Sequence, residues 1–216
     1  MQVASRQCLW KDTIAGSGTI LEIEIPDIGG NVRIGSGTLA PGSTEITVSW
    51  GDGQKGIYSQ INGATHTYAK GGTYIIRISD DMASFGYANG ASEAQKDMLR
   101  ELVSLGSKVT SIGGYAFGTT LGITDFILPS MTRLAQTSFY CGPSPTQIHA
   151  DNVRQIDSRF WDYYGWKLYD LYLRNSTCAQ IKAMSGFPFN AERIEEEVRF
   201  HGSDGIVLAD GTTIPN

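Results

Sequence analysis

The chain has 216 residues, of which 41% are hydrophobic and 18% charged, and its formal net charge is −5. It has no basic stretch, and phosphate binding needs clustered Lys and Arg, so nucleic acid is not an expected partner. No apolar run approaches the ~20 residues of a membrane span, so membrane insertion is not expected either.

The 26 glycines, with abundant Ser and Thr, suit short strands and many turns better than long helices. The N-terminal stretch lacks a basic segment followed by an apolar core, which is the pattern of a signal peptide. Cys8, Cys141 and Cys178 are odd in number and widely spaced, so they read as buried free thiols rather than a disulfide framework. With no CxxC pair, a structural zinc site is not expected, and the reading carries no cofactor or metal.

Four runs alternate between apolar and polar residues in the first 80 positions. "TILEIEIPDI" sets Leu21, Ile23 and Ile25 against Glu22 and Glu24. "NVRIGSG" follows the turn signal Gly29-Gly30. "TEITVSW" places Ile46, Val48 and Trp50 on one side, and "GTYIIRISD" does the same with Tyr74, Ile76 and Ile78. This is the period of half-buried strands, and it predicts a small all-β unit. "SWGDG" at 49–53 reads as a hairpin turn, because Asp-Gly supplies the positive-φ positions and the Asp side chain accepts backbone N–H bonds. A catalytic reading of this motif would need a base, and His66 is the one candidate nearby.

These residues resemble the polycystic-kidney-disease (PKD) type of immunoglobulin-like β-sandwich over about residues 20–80. The matching positions are Trp50, Gly51, Asp52, Gly53, His66, Tyr68, Gly72 and Tyr74. The resemblance implies an extracellular spacer or adhesion module.

"ASEAQKDMLRELVSLG" has Ser92 and Gln95 in a capping-box spacing and an apolar stripe of Ala94, Met98, Leu99, Leu102 and Leu105. It predicts a helix that ends at Gly106 and covers the open end of the segment beyond it.

From residue 107 to about 200 the chain repeats. Val109, Met131 and Val153 are each 22 residues apart, as are Ile112, Leu134 and Ile156, and also Phe117, Phe139 and Trp161. Phe126 and Ile148 keep the step, and Leu171 comes next with one extra residue. A period in the twenties with fixed apolar offsets predicts a leucine-rich solenoid, whose stacked coils bury equivalent side chains in ladders. "VTSIGGYAF" followed by "LGITDFILPS" resembles the BspA-type leucine-rich repeat, although "GPSPTQIHADN" lacks its leucines and proline. That resemblance implies surface-exposed binding or adhesion proteins of bacteria and their phages. "NSTCAQIKAMSG" predicts a short capped helix and "GIVLADGTTI" a hairpin turning at Asp210-Gly211, together a C-terminal cap.

No nucleophile elbow, zinc-protease, P-loop or dinucleotide motif is present. "RFWDYYGWKLYDLYL" packs seven aromatics into fifteen residues, and Tyr163, Tyr164 and Trp166 fall in its connecting loop. Exposed Tyr and Trp stack on sugars or anchor protein interfaces, so these three are the candidate ligand-binding residues.

The expected fold is therefore mainly β with some helix: a β-sandwich over 1–88, then a repeat solenoid over 89–216. The expected function is a non-enzymatic adhesion or binding module for protein or glycan, outside the cell on a bacterial surface or on a phage particle. The alternatives are a structural spacer or self-assembling subunit, and a carbohydrate-active enzyme with an acid pair that meets only in the fold.

Overall fold

The computed structural model describes residues 18–87, 97–112, 117, 123, 125–135, 146–157, 160, 169–187 and 198–216. Cys8, Phe139, Cys141, Trp161 and the candidate ligand-binding residues Tyr163, Tyr164 and Trp166 lie outside the described residues. The protein is mainly β. Among the described residues no helix is long and apolar enough to cross a membrane.

Nine strands come first: β1 Thr19–Ile25, β2 Gly30–Ile34, β3 Ser36–Leu39, β4 Ile46–Ser49, β5 Lys55–Tyr58, β6 Ala64–Tyr68, β7 Gly72–Ile78, β8 Met82–Gly86 and β9 Leu99–Ser104. Five of them form a sheet in the order β5-β4-β7-β1-β9. β2 pairs antiparallel with β6, and β3 with β8. The alternation read from the sequence places the apolar face inward: Ile23, Val48 and Ile76 are fully buried and share one core with Val32, Ile34, Ala64 and Tyr68.

The predicted helix over 91–106 is corrected where the chain is described: Leu99–Ser104 is a strand, antiparallel to β1. Its register explains the misreading. Ile23 faces Leu99, Glu22 faces Glu101, Leu21 faces Leu102 and Ile20 faces Ser104, with irregularities that leave Arg100 and Val103 unpaired. Two extra residues turn a period of two into a spacing of three. Leu99, Leu102 and Leu105 are all buried as a result, the same pattern that one face of a helix would show.

The remaining strands are short: β10 Ser111–Ile112, β11 Asp125–Ile127, β12 Arg133–Leu134, β13 Gln147–His149, β14 Gln155–Ile156, β15 Asp170–Tyr172, β16 Arg199–His201, β17 Gly205–Leu208 and β18 Thr213–Pro215. β11, β13, β15 and β16 run parallel, with Phe126 facing Ile148, Ile148 facing Leu171 and Leu171 facing Phe200. All four are fully buried. A second line of parallel pairs joins Phe85 to Ile112 and Leu134 to Ile156, and β10 lies against β12.

Between these lines the backbone turns the same way each time. The N–H groups of Val109, Met131, Val153 and Ser176 donate to the carbonyls of Gly106, Leu128, Ala150 and Leu173. Side chains tie successive turns together: Asn152 Nδ2 donates to the Pro129 carbonyl at 2.7 Å, and Asn175 Nδ2 to Asn152 Oδ1 at 2.8 Å.

Hydrogen bonding also crosses residue 88. β9 is an edge of the first five-stranded sheet and lies against β11, while β8 pairs with β10.

At the C-terminus, helix α1 (Cys178–Lys182) is capped by Thr177, whose hydroxyl accepts from the Gln180 N–H while the Gln180 side chain accepts from Thr177 N–H. This is a reciprocal capping box. β17 and β18 form the expected hairpin, with Gly211 at φ +86° and the Thr212 N–H on Asp210 Oδ1 at 2.7 Å.

Leu134 stands opposite Ile156 with no exposed surface. Leu134→Ala should lower unfolding free energy by about 2–5 kcal/mol, whereas Leu134→Ile should cost less than about 1.5 kcal/mol. Urea denaturation of the two variants checks the difference.

Candidate functional site

Among the described residues, two side-chain groups bring aromatic rings and charged residues together. The first is the "SWGDG" turn. Trp50 follows β4 and is buried in the core, and its N–H donates to the Gln54 carbonyl at 3.0 Å, which closes the turn to β5. Gly51 and Gly53 take φ of +86° and +92°, and a Cβ on Gly51 would meet the Ile75 carbonyl oxygen at 2.8 Å. Only glycine accommodates both demands.

Asp52 Oδ1 accepts the Gln54 N–H at 3.0 Å, and Oδ2 accepts from His66 Nε2 at 2.7 Å. The imidazole stacks on Trp50 with centroids 5.0 Å apart and meets the Tyr68 ring edge-on. Tyr68 in turn donates its hydroxyl to the Trp50 carbonyl at 2.6 Å and lies against Tyr74.

Burial alone would raise the Asp52 carboxyl. The hydrogen bonds from His66 and the Gln54 N–H, with the attraction of the imidazole, outweigh it and hold the group below its ordinary value. Burial, reinforced by the Asp52 charge, pushes the Tyr68 phenol well above its ordinary range, so it remains a donor. The Tyr68 hydroxyl donates to the Trp50 carbonyl and the Tyr74 hydroxyl to the Lys70 carbonyl, so neither is directed at His66. The group is a tied turn.

The second group lies on the outward face of the parallel strands. Where Ile148, Leu171 and Phe200 point inward, the next residue on each strand points out: His149, Tyr172 and His201. Their rings stack in a column, with centroids 4.2 Å apart between His149 and Tyr172 and 4.4 Å between Tyr172 and His201. The register continues through Ile127 on β11 and through Ile206 and Ile214 on the hairpin.

Two ion pairs flank the column. Asp170 Oδ1 accepts from His201 Nε2 at 2.6 Å and its Oδ2 from Arg199 at 2.8 Å. Arg174 grips Asp151 through Nε and Nη2, at 3.1 and 2.9 Å, and its guanidinium lies 5.7 Å from the Tyr172 ring centre. Burial raises the Asp151 carboxyl, but the bonds from the Arg174 side chain and N–H outweigh it and keep it below its ordinary value.

Of the residues singled out from sequence, Trp50, Asp52, Gly53, His66, Tyr68 and Tyr74 come together in the first group. Ile112, Phe117, Leu134 and Ile156 are buried. The second group was missed, because His149 and His201 are far apart in the chain. The signal was the step from Phe126 to Ile148 to Leu171, since the residue after each one faces outward. "HGSDG" at 201–205 has a structural job: Asp204 Oδ1 accepts the Cys178 N–H at 2.7 Å, and the Ser203 N–H bonds the Ser176 carbonyl. Cys178 is buried, and burial, together with Asp204, pushes its thiol up. Among the described residues no group of three or more His, Cys, Asp or Glu could hold a metal ion.

No protein-family model, curated protein or solved structure matches the chain.

Asp52 titrates lower in the folded chain than in the unfolded one, so its stabilisation is complete above the ordinary carboxylate range and is lost as pH falls through the folded value. Asp52→Asn should therefore cost about 1–3 kcal/mol at neutral pH, and the gap to the parent should narrow on acidification toward about pH 3. Thermal melts across that range test it. Tyr68→Phe, which strands the buried Trp50 carbonyl, should cost about 1–3 kcal/mol by urea denaturation.

Proposed function

We propose that the chain is a non-enzymatic binding or adhesion module displayed on a bacterial surface or a phage particle. In this reading a PKD-like sandwich over residues 1–88 precedes a short BspA-like leucine-rich solenoid over 89–216, and the ligand is a surface protein or glycan. The observation that carries it is the division of labour on the parallel strands. Phe126, Ile148, Leu171 and Phe200 fill the interior, while His149, Tyr172 and His201 stand outward in register. An interior filled by side chains leaves the outer face as the place where chemistry meets a partner. The near-constant offset of the paired strands and the repeated turn bonds support the solenoid reading. The tied "WGDG" turn, with its His66 and Tyr68 contacts, supports the PKD-like reading.

A second reading, a self-assembling subunit, is favoured by β18, which ends its sheet with Ile214 exposed. Light scattering across a concentration series separates the two, since assembly gives a mass above that of one chain.

The adhesion reading is tested with a glycan array and with beads that display the chain to bacterial cells. Binding or adherence is expected, with no sugar released from polysaccharides. The Tyr164→Ala, Trp166→Ala double variant should lose whatever glycan binding those loop aromatics provide. A silent array together with bare beads would remove the proposal.

A further inference from the structure

We propose that the outward face of β15 and β16 is a docking surface for an acidic polypeptide segment, centred on Tyr172 and gripped by Arg174 and Arg199. The inference rests on the binding-module reading and names the partner's chemistry at one face.

Exposure sets the sign of the charge that a partner meets. The Arg174 side chain is 57% exposed over an Asp151 that is 28% exposed. Arg199 is 49% exposed over an Asp170 that is only 10% exposed. In both pairs the carboxylate is sunk and the guanidinium stands above it, so the group a partner meets first is the cation. Asp125, the next outward carboxylate in the same register as Gln147, Asp170 and Arg199, sits on β11, two strands from Asp170.

Donor supply points the same way. A guanidinium carries five N–H donors. Among the described residues Arg199 bonds through Nη2 to Asp170, and Arg174 through Nε and Nη2 to Asp151. A partner carboxylate can take the remaining donors without breaking either pair, and such charge-assisted bonds are the strong ones. Arg174 lies two residues beyond Tyr172, and Arg199 two residues before His201, which faces Tyr172. Arg199 stands opposite Asp170 and Arg174 lies in the turn that follows β15, so the two guanidinium groups flank Tyr172 along the chain direction, a spacing that carboxylates a few residues apart on an extended peptide, at ~3.3 Å per residue, can span.

Ring geometry argues for polypeptide over glycan. Sugars stack on open ring faces, but here His149 and His201 cover both faces of Tyr172, with interplanar angles of 3° and 19°. The column offers edges and a phenol hydroxyl. In register beyond its ends stand Ile127 and the hairpin residues Ile206 and Ile214, apolar groups that suit the side chains of a peptide better than the hydroxyls of a sugar.

The test is fluorescence anisotropy at low ionic strength with three probes: an extended peptide of about a dozen residues with glutamate at every fourth position, its glutamine counterpart, and a uronate oligosaccharide. The intact chain should bind the glutamate peptide and not the glutamine one. Arg199→Gln should weaken it roughly tenfold, while Arg199→Lys keeps most of the affinity. Arg199→Gln leaves Asp170 bonded to His201, so the variant should melt near the parent. Arg174→Gln is the second variant. Equal binding of both peptides, or unchanged affinity in both arginine variants, would overturn the proposal. So would uronate binding that depends on these arginines with no peptide binding. That last result, or ligand capture only through residues 163–166, would leave the adhesion reading standing and remove this one.

Discussion

Parallel pairing between strands a nearly fixed chain distance apart is the constraint on which the second half of the molecule depends. Phe126, Ile148 and Leu171 are brought face to face by offsets of 22 and 23 residues. Each of these strands is only three residues long, so its inward side chain relies on the neighbouring strands for burial. The same register governs the opposite face. A residue one position on must point outward, so the hydrogen bonding that fills the interior also lines up His149, Tyr172 and His201. Interior and surface are two results of one spacing.

The first segment rests on a different device. Its core is closed by a turn whose acid, imidazole and phenol are all engaged with one another or with the backbone of Trp50. A carboxylate, a histidine and a tyrosine within reach of each other look like an active site in a list of residues. Here both Asp52 oxygens, His66 Nε2 and the Tyr68 hydroxyl have bonds that hold the turn, and the Trp50 and His66 rings stack on one another.

Much of this was legible in the sequence. The alternating runs marked β1, β4 and β7, and the Asp-Gly pairs marked both hairpins. The repeat spacing anticipated the pairing of Leu134 with Ile156 and even the one-residue slip at Leu171. Leu99–Ser104 was misread because two unpaired residues reproduce helical spacing in a strand, and only the partner strand β1 reveals them. The outward column was half-legible. His149 and Tyr172 come from the repeat, but His201 joins at an offset of 29 residues from Tyr172, outside any period, and its pairing with Asp170 is a product of the fold.

Two strands belong to two neighbourhoods at once. β8 is hydrogen-bonded to β3 on one side and to β10 on the other, and β9 is bonded to β1 and rests against β11. A linker between independent units would leave a hinge, but here the joint is itself woven into both fabrics. Tension along the chain would have to shear those strands out of their sheets before the halves could swing apart.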